Sequence, residues 1–353
     1  MNPDLKVFQE SISDVLRDLC DRRAIHDCFD GKSDLDRKLW AKAADLGWMA
    51  CAVPEADGGL GLGAPGIDLL HRELGCWLAP GPFLSTLATA QWLAEFADAD
   101  IKSRYLPAIL AGELTVVVPV AMSSAIADEP GNLLRVLGSA DAGLAVLPGD
   151  EAGSMRLAEL SPNEQRLTSV NIWDCTRQVS DLRLEGLRTT AVVQNGDGLI
   201  ANLCLAIAGD SLGAARSIAD QTVDYMKTRE QFGRPIGTFQ ALKHRAADLY
   251  AKLAIQDELQ NQAVDAKDSG SDAGMWTRLA KAGATDAASF ISGDCVQLHG
   301  GVGHTWEFDV HMFLKRSRLN QSLVAPNWVL LDEAADLLET AARAGRTTAE
   351  LSL

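Results

Sequence analysis

Basic residues are scarce in this chain: 32 Lys and Arg stand against 48 Asp and Glu across 353 residues, a formal charge of −16. A field of that sign repels phosphate backbones and anionic lipid, so neither nucleic acid nor a membrane surface is an expected partner. An anionic small ligand stays admissible, because a local basic pocket persists inside a negative envelope. A Cys-x-x-Cys pair is also lacking, and the odd count of seven cysteines leaves one over in any disulfide scheme. Reduced, mostly buried thiols are therefore expected. The longest apolar stretches, near Val116 to Met122 and Leu203 to Ala208, fall short of the roughly 18 residues of a membrane span. Met1 to Lys6 carries neither a basic nor an apolar signal region, so the expectation is an unexported, cytoplasmic protein.

Several catalytic signatures are missing too. The six histidines include no His-Glu-x-x-His pair, and His299, His304 and His311 lack the spacing of helical metal ligands. There is no Gly-x-Ser-x-Gly elbow, which leaves hydrolase chemistry without a nucleophile. The Gly59 to Gly63 run misplaces the third glycine of a dinucleotide fingerprint and follows no buried strand; it reads as a loop.

What is present is ordinary globular composition, 47% hydrophobic and 23% charged, arranged in three textures. From Leu5 to about Ala111 apolar residues recur at three- and four-residue steps, as at Leu35, Leu39, Ala43 and Leu46, which predicts helices. A Pro/Gly-rich loop, Val53 to Gly61, interrupts them. From Thr115 to about Gln194 short β-rich runs (Val116–Val118, Leu144–Leu147, Leu167–Val170, Thr190–Val193) alternate with turn residues. Helices then return over Ala201 to Thr228, Phe239 to Lys267, Gly274 to Leu298 and Pro326 to Arg346, with a turn at Lys267 to Asp272. The expected fold is mainly α with a middle β domain: an N-terminal helical domain over 1–114, a small β domain over 115–195 and a C-terminal helical bundle over 196–353.

Two stretches carry chemistry. In Thr228 to His244 a helix ends, a Gly/Pro turn follows and a new helix begins, which brings Arg229, Gln231, Phe232 and Gln240 to one turn. A guanidinium, an aromatic and amides together suit a pyrophosphate and a planar ring; the alternative is a Gly/Pro loop with a solvated arginine. In Gln297 to Glu307 a helix ends in Gly300 and Gly301, which allow a backbone or ligand to approach closely, and Thr305 is placed to cap the next helix. Alone, this second stretch is a helix C-cap.

The Val53-Pro54-Glu55 loop with Gly58-Gly59, the Arg229 to Asp248 block, Gln297 to Glu307, and Asp174, Thr176 and Arg177 stand in an order and spacing that resembles the acyl-CoA dehydrogenase family. The resemblance implies an N-terminal helical domain, a middle β domain, a C-terminal four-helix bundle and FAD. It also implies oxidation of an acyl-CoA to the trans-2-enoyl-CoA, with a glutamate taking the α-proton and the flavin taking the β-hydrogen as hydride. Carried over residue by residue, Arg229, Gln231, Phe232, Ile236, Phe239, Gln240, Gln297, Gly300 and Gly301 are the contacts to the FAD of an adjacent subunit.

The family's glutamate stands about 26 residues before the motif arginine or about 24 after the first glycine of the His-Gly-Gly turn. Those positions here hold Leu203 and Val324, and no Asp or Glu occurs from Gly198 to Gly209 or from Val310 to Leu331. Neither side chain accepts a proton. The family's Thr-Glu-Pro-x-x-Gly-Ser-Asp segment, which holds a subunit's own flavin, is replaced by Val120 to Pro130. The resemblance therefore implies one half of a heteromeric (α2β2) acyl-CoA dehydrogenase. Its partner is a homologous subunit carrying the glutamate, its substrate a bulky, steroid side-chain acyl-CoA, and its acceptor an electron-transfer flavoprotein. Two alternatives stay open: a self-sufficient homomer with Asp210 as base, two helical turns beyond Leu203, or a non-enzymatic scaffold. Asp210 otherwise reads as an exposed acid or a salt-bridge partner of Arg216 or another nearby base. Glu307 belongs to the turn and is not taken as a base.

Overall fold

The structure is a computed structural model, and it describes residues 3–32, 35–122, 132–270, 272–347 and 351. Helices α1 (Pro3–Leu19), α2 (Arg22–Phe29), α3 (Leu35–Asp45), α4 (Gly63–Cys76), α5 (Phe83–Phe96) and α6 (Ala99–Leu110) come first. The loop from Val53 contains a 3-10 turn, Glu55–Asp57, and the Gly61 and Leu62 amides bond back to the carbonyls of Val53 and Cys51. The glycine-rich run is thus a structural loop.

Among the described residues seven strands follow: β1 (Val116–Pro119), β2 (Leu133–Leu137), β3 (Leu144–Pro148), β4 (Met155–Glu159), β5 (Leu167–Ser169), β6 (Val179–Arg183) and β7 (Ala191–Val193). They form one sheet in the order β5-β6-β2-β1-β3-β4-β7, antiparallel except where β1 pairs with β3. Alternation along each strand splits the sheet between two cores. Val116, Val118, Leu144 and Val146 join the main core, while Val117, Val136, Ala145, Leu147 and Leu182 form a smaller one on the other face. Strands β2, β4 and β6 were not anticipated, because Arg135, Arg156 and Asp181 break their apolar runs.

The chain closes with α7 (Gly196–Thr228), a hairpin of β8 (Glu230–Gln231) and β9 (Arg234–Pro235), α8 (Gln240–Ser269), α9 (Ala273–His299), α10 (Val310–Ser322) and α11 (Asn327–Arg343). The four helices expected for the bundle are present as α7, α8, α9 and α11, and a further one, α10, joins them. The unanticipated member, α10, buries Arg316, Ser317 and Asn320 beside Val310 and Phe313, so polar residues mask its apolar face. The same omission misplaced Thr305, whose hydroxyl closes the preceding 3-10 turn on the Val302 carbonyl.

One expectation about apolar runs needs correction as well. An 18-residue window of α7 has a mean hydropathy of 1.5 and is long enough to cross a membrane, but 89% of it is buried inside the protein. It is the core helix of the bundle, packed on α4, α5, α8, α9 and α10. Glycines let α4 and α7 nearly touch: a Cβ on Gly213 would stand 1.9 Å from the Arg72 carbonyl oxygen, and one on Gly75 2.0 Å from that of Asp210. Gly213→Ala is therefore expected to cost about 1–3 kcal/mol by overpacking. Gly293→Ala on α9, where nothing stands within 4 Å of the new Cβ, is expected to gain about 0.5–1 kcal/mol. Urea midpoints of the two variants check the contrast.

Candidate functional site

The expected flavin contacts gather at the C-terminal end of α7 and α9. Arg229 ends α7 with an extended backbone, its amide bonded to the Tyr225 carbonyl, and its side chain is exposed. The two-residue turn Phe232–Gly233 joins β8 to β9 with φ of 53° and 77°, the left-handed pair that suits a tight hairpin. Phe232 is 93% exposed at the tip, edge-on to Phe239, and the Arg234 guanidinium lies 4.2 Å over the Phe239 ring. Gln231 and Gln240 are exposed, Gln240 as the first residue of α8, while Ile236 and Phe239 are half-buried between them.

Gln297, Gly300 and Gly301 lie at the end of α9, all exposed. Gly300 has φ 67° and ψ −144°, a backbone region essentially closed to other residues, and its amide caps α9 on the Gln297 carbonyl. Nothing stands within 4 Å of a Cβ built on Gly301. The two motifs are fixed to each other by aromatic packing that the sequence did not reveal. Tyr225 stacks on His299 at 4.3 Å, Phe308 meets both rings edge-on, and the Tyr225 hydroxyl donates to the His299 carbonyl at 3.5 Å. Arg229 and His299 line the same cavity of about 600 Å³.

The carboxylate candidate lies elsewhere. Asp210 is fully buried on α7, and both oxygens are engaged: Oδ2 accepts from Arg177 Nη2 at 2.5 Å and Arg316 Nη1 at 3.0 Å, Oδ1 from Asn320 Nδ2 at 2.8 Å. It is neither exposed nor paired with Arg216, which bonds Asp257 instead. Arg316 also donates through Nε to Asp174 Oδ2 at 2.6 Å, and through Nη2 to Thr176 Oγ1 and the Ala79 carbonyl. Burial raises the Asp210 carboxyl, but the Arg177 and Arg316 guanidiniums outweigh it and hold the group below the ordinary carboxylate range. That direction is opposite to the raised pKa of a typical general base.

Leu203 and Val324, the two positions counted for the family's glutamate, are both buried. Val324 has φ 69°, and its amide and carbonyl bond to the Val120 carbonyl and the Met122 amide at 2.8 and 2.7 Å. The segment expected to replace the family's own-flavin motif lies, from Ser123 to Pro130, outside the described residues. Sequence reasoning missed Arg316; the one signal it left is that it shares a helix face with Val310 and Phe313, where a buried charge must have a partner.

His71 on α4 is fully buried in the field of Asp210, Arg177 and Arg316, and burial pushes its imidazole down to about 3. An unfolded histidine takes its proton near pH 6.5. Between those values the unfolded state binds more protons, so stability is complete above pH 6.5 and falls as pH drops, by up to about 1.4 kcal/mol per pH unit. His71→Leu is expected to flatten the urea midpoint between pH 6.5 and 4; an unchanged slope would place the titration elsewhere. Arg316→Leu, which leaves two buried carboxylates short of a cation, is expected to cost about 3–5 kcal/mol in a urea titration at pH 7.

Comparison with known proteins accounts for the arrangement. Residues 4–113 match the family model "Acyl-CoA dehydrogenase, N-terminal domain" and residues 200–324 the model "Acyl-CoA dehydrogenase, C-terminal domain". Acyl-CoA dehydrogenase FadE34 of Mycobacterium tuberculosis is 30% identical over 296 residues, 82% of this chain, which spans 40% of that protein's length. Acyl-CoA dehydrogenase IpdE2 of Mycolicibacterium smegmatis is 29% identical over 327 residues, 92% of this chain and 96% of that protein. A Tcur3481-Tcur3483 steroid ACAD variant superposes with a TM-score of 0.83 at 25% identity, covering 96% of this chain and 99% of that one. The ChsE4-ChsE5 complex of M. tuberculosis shares the fold, with a TM-score of 0.82 at 20% identity over 96% of this chain and 98% of that one. The two matched domains flanking a β-sheet, together with the hairpin and glycine turn, make this chain a member of the acyl-CoA dehydrogenase family.

Proposed function

We propose that this chain is the non-catalytic half of a heteromeric FAD-dependent acyl-CoA dehydrogenase, completing the FAD site of a homologous subunit that carries the glutamate. One contrast carries the reading. The residues suited to a nucleotide face solvent, whereas the positions counted for a base hold the buried aliphatic side chains Leu203 and Val324.

FAD is the family's cofactor and, when bound, accepts the hydride leaving the substrate's β-carbon. The groups on this chain fit part of it. Arg229 supplies a guanidinium for a pyrophosphate, and Gln231, Gln240 and Gln297 supply amides. The bare backbone at Gly300 and Gly301 lets a nucleotide approach without meeting a Cβ. Phe232, Ile236 and Phe239 supply the apolar edge and exclude water there. Because these groups point outward, the flavin they serve belongs to a neighbour.

The homomeric alternative loses ground because Asp210 spends both oxygens on Arg177, Arg316 and Asn320. The scaffold alternative leaves Arg229, Phe232, Gln240 and Gln297 without a purpose. For the substrate we favour a bulky, steroid side-chain acyl-CoA. The Tcur3481-Tcur3483 relative is a steroid ACAD, and giving up one of two acyl sites frees volume for a polycyclic group. An electron-transfer flavoprotein is the acceptor in this reading, the assembly is α2β2, and its place is the cytoplasm.

Purification alone and with the product of a neighbouring acyl-CoA-dehydrogenase-like gene tests the proposal. The lone chain is expected colourless and the co-expressed complex yellow, with about one FAD per pair of unlike subunits. Arg229→Ala in the complex is expected to weaken FAD binding roughly 10- to 100-fold, as loss of a charge-assisted bond does. A lone chain that is yellow and bleached by an acyl-CoA overturns the reading.

A further inference from the structure

Next to the cavity that Arg229 and His299 line is a smaller one, which the flavin reading does not use. It encloses about 210 Å³ where α2, the turn after α4, α7 and α10 meet. Cys20, Ile25, Cys76, Trp77, Leu78 and Phe313 supply its apolar wall, and Ser217 of α7 lines it as well. Burial pushes the Cys20 thiol up to about 12 and raises that of Cys76, so both sulfurs are uncharged at neutral pH and behave as apolar surface. Leu78 holds left-handed backbone at φ 51°, which a leucine keeps only where its surroundings impose it. That part of the wall is therefore set before any ligand arrives.

The junction between the two cavities is polar, because Arg22, Gln221 and Asp309 line both. Arg22 Nε donates to Asp309 Oδ1 at 3.0 Å, and His26 Nε2 meets the same oxygen at 2.6 Å. The two terminal nitrogens of Arg22 have no hydrogen-bond partner among the described residues. An apolar chamber with a guanidinium at its opening selects a hydrocarbon tail that ends in an anion. A cationic head would meet repulsion there, and a second polar group on the tail would be buried without a partner.

We propose that this inner cavity binds a carboxylate with an aliphatic tail, the tail among Trp77, Leu78 and Phe313 and the carboxylate on the terminal nitrogens of Arg22. A dry cavity of about 150 Å³ takes benzene, so this one takes a chain of about six to eight carbons and is too small for a polycyclic acid. The wall belongs wholly to this chain, and the site stands or falls apart from the heteromeric reading.

The test uses the full chain and octanoate. Octanoate is expected to bind with a dissociation constant below about 1 mM. At about ten times that constant it is expected to slow alkylation of Cys76 by N-ethylmaleimide roughly tenfold, by mass action, with the exposed Cys175 as the unaffected control. Arg22→Ala is expected to weaken octanoate roughly 10- to 100-fold and to leave 1-octanol, which has the tail without the charge, within about twofold. Ser217→Leu and, separately, Cys76→Leu fill the chamber and are expected to abolish binding of both ligands, with urea midpoints reporting that each variant is folded. Octanoate that fails to bind the wild-type chain, or binds without shielding Cys76, overturns the inference. So does binding that persists in a folded filled variant, or a loss in Arg22→Ala that 1-octanol shares.

Discussion

Two arginines and two aspartates, sealed from water where three parts of the fold meet, set the terms on which this chain packs. Asp174 and Arg177 come from the loop before β6, Asp210 from α7 and Arg316 from α10, and Arg316 also reaches the Ala79 carbonyl between α4 and α5. Formal charges cancel, two against two. The desolvation cost of such a group nearly offsets its Coulombic gain, so its main effect is to penalise every arrangement in which one member is left unpaired. The β-sheet, the N-terminal helices and the bundle therefore have a mutual placement specified by charge as well as by shape.

Placement matters because the residues suited to a nucleotide are separated in sequence and must converge at one end of the bundle. With α7 held at Asp210 and pressed onto α4 through Gly75 and Gly213, its last turn falls beside the last turn of α9. The stack of Tyr225, His299 and Phe308 then joins the last turn of α7, which the hairpin follows, to the glycine turn. Rigid supports of this kind hold groups on a surface in position before any ligand arrives, which lowers the entropy lost on binding.

How much of this was legible beforehand follows from where the signal resides. Helices with one apolar stripe and strands with unbroken Val or Leu runs announce themselves by period, and the two long motifs by their residue types. Strand β2 and helix α10 did not, because Arg135 and Arg316 interrupt their patterns, and the partners that make those charges tolerable, Asp181 and the aspartate pair, lie 46 and more residues away in sequence. For Asp210 the sequence left base and ion pair both open for the same reason: a carboxylate's neighbourhood decides between them, and neighbourhood is a tertiary property. That Leu203 and Val324 stand at the two positions counted for a glutamate, by contrast, needed only counting.

Two strained residues separate what the chain does for itself from what it offers outward. Val324 and Phe232 both adopt left-handed backbone, at φ 69° and 53°, where a β-branched or bulky side chain is a genuine outlier. Such strain persists only where the surroundings over-determine it. For Val324 those surroundings lie within the chain. Its amide and carbonyl are bonded to the strand extension at Val120 and Met122, and the buried Lys281 ammonium grips the Gln321 and Ala325 carbonyls on either side. For Phe232 they are mostly absent: the hairpin fixes its backbone, yet the ring touches Phe239 at one edge and is otherwise open to water. A tight turn alone is satisfied more cheaply by Asn or Asp at that position. On the function proposed above, the surface of a neighbouring subunit buries the aromatic ring that is held there against its backbone preference, and the flavin of that subunit meets the nearby guanidinium, amides and bare glycine backbone.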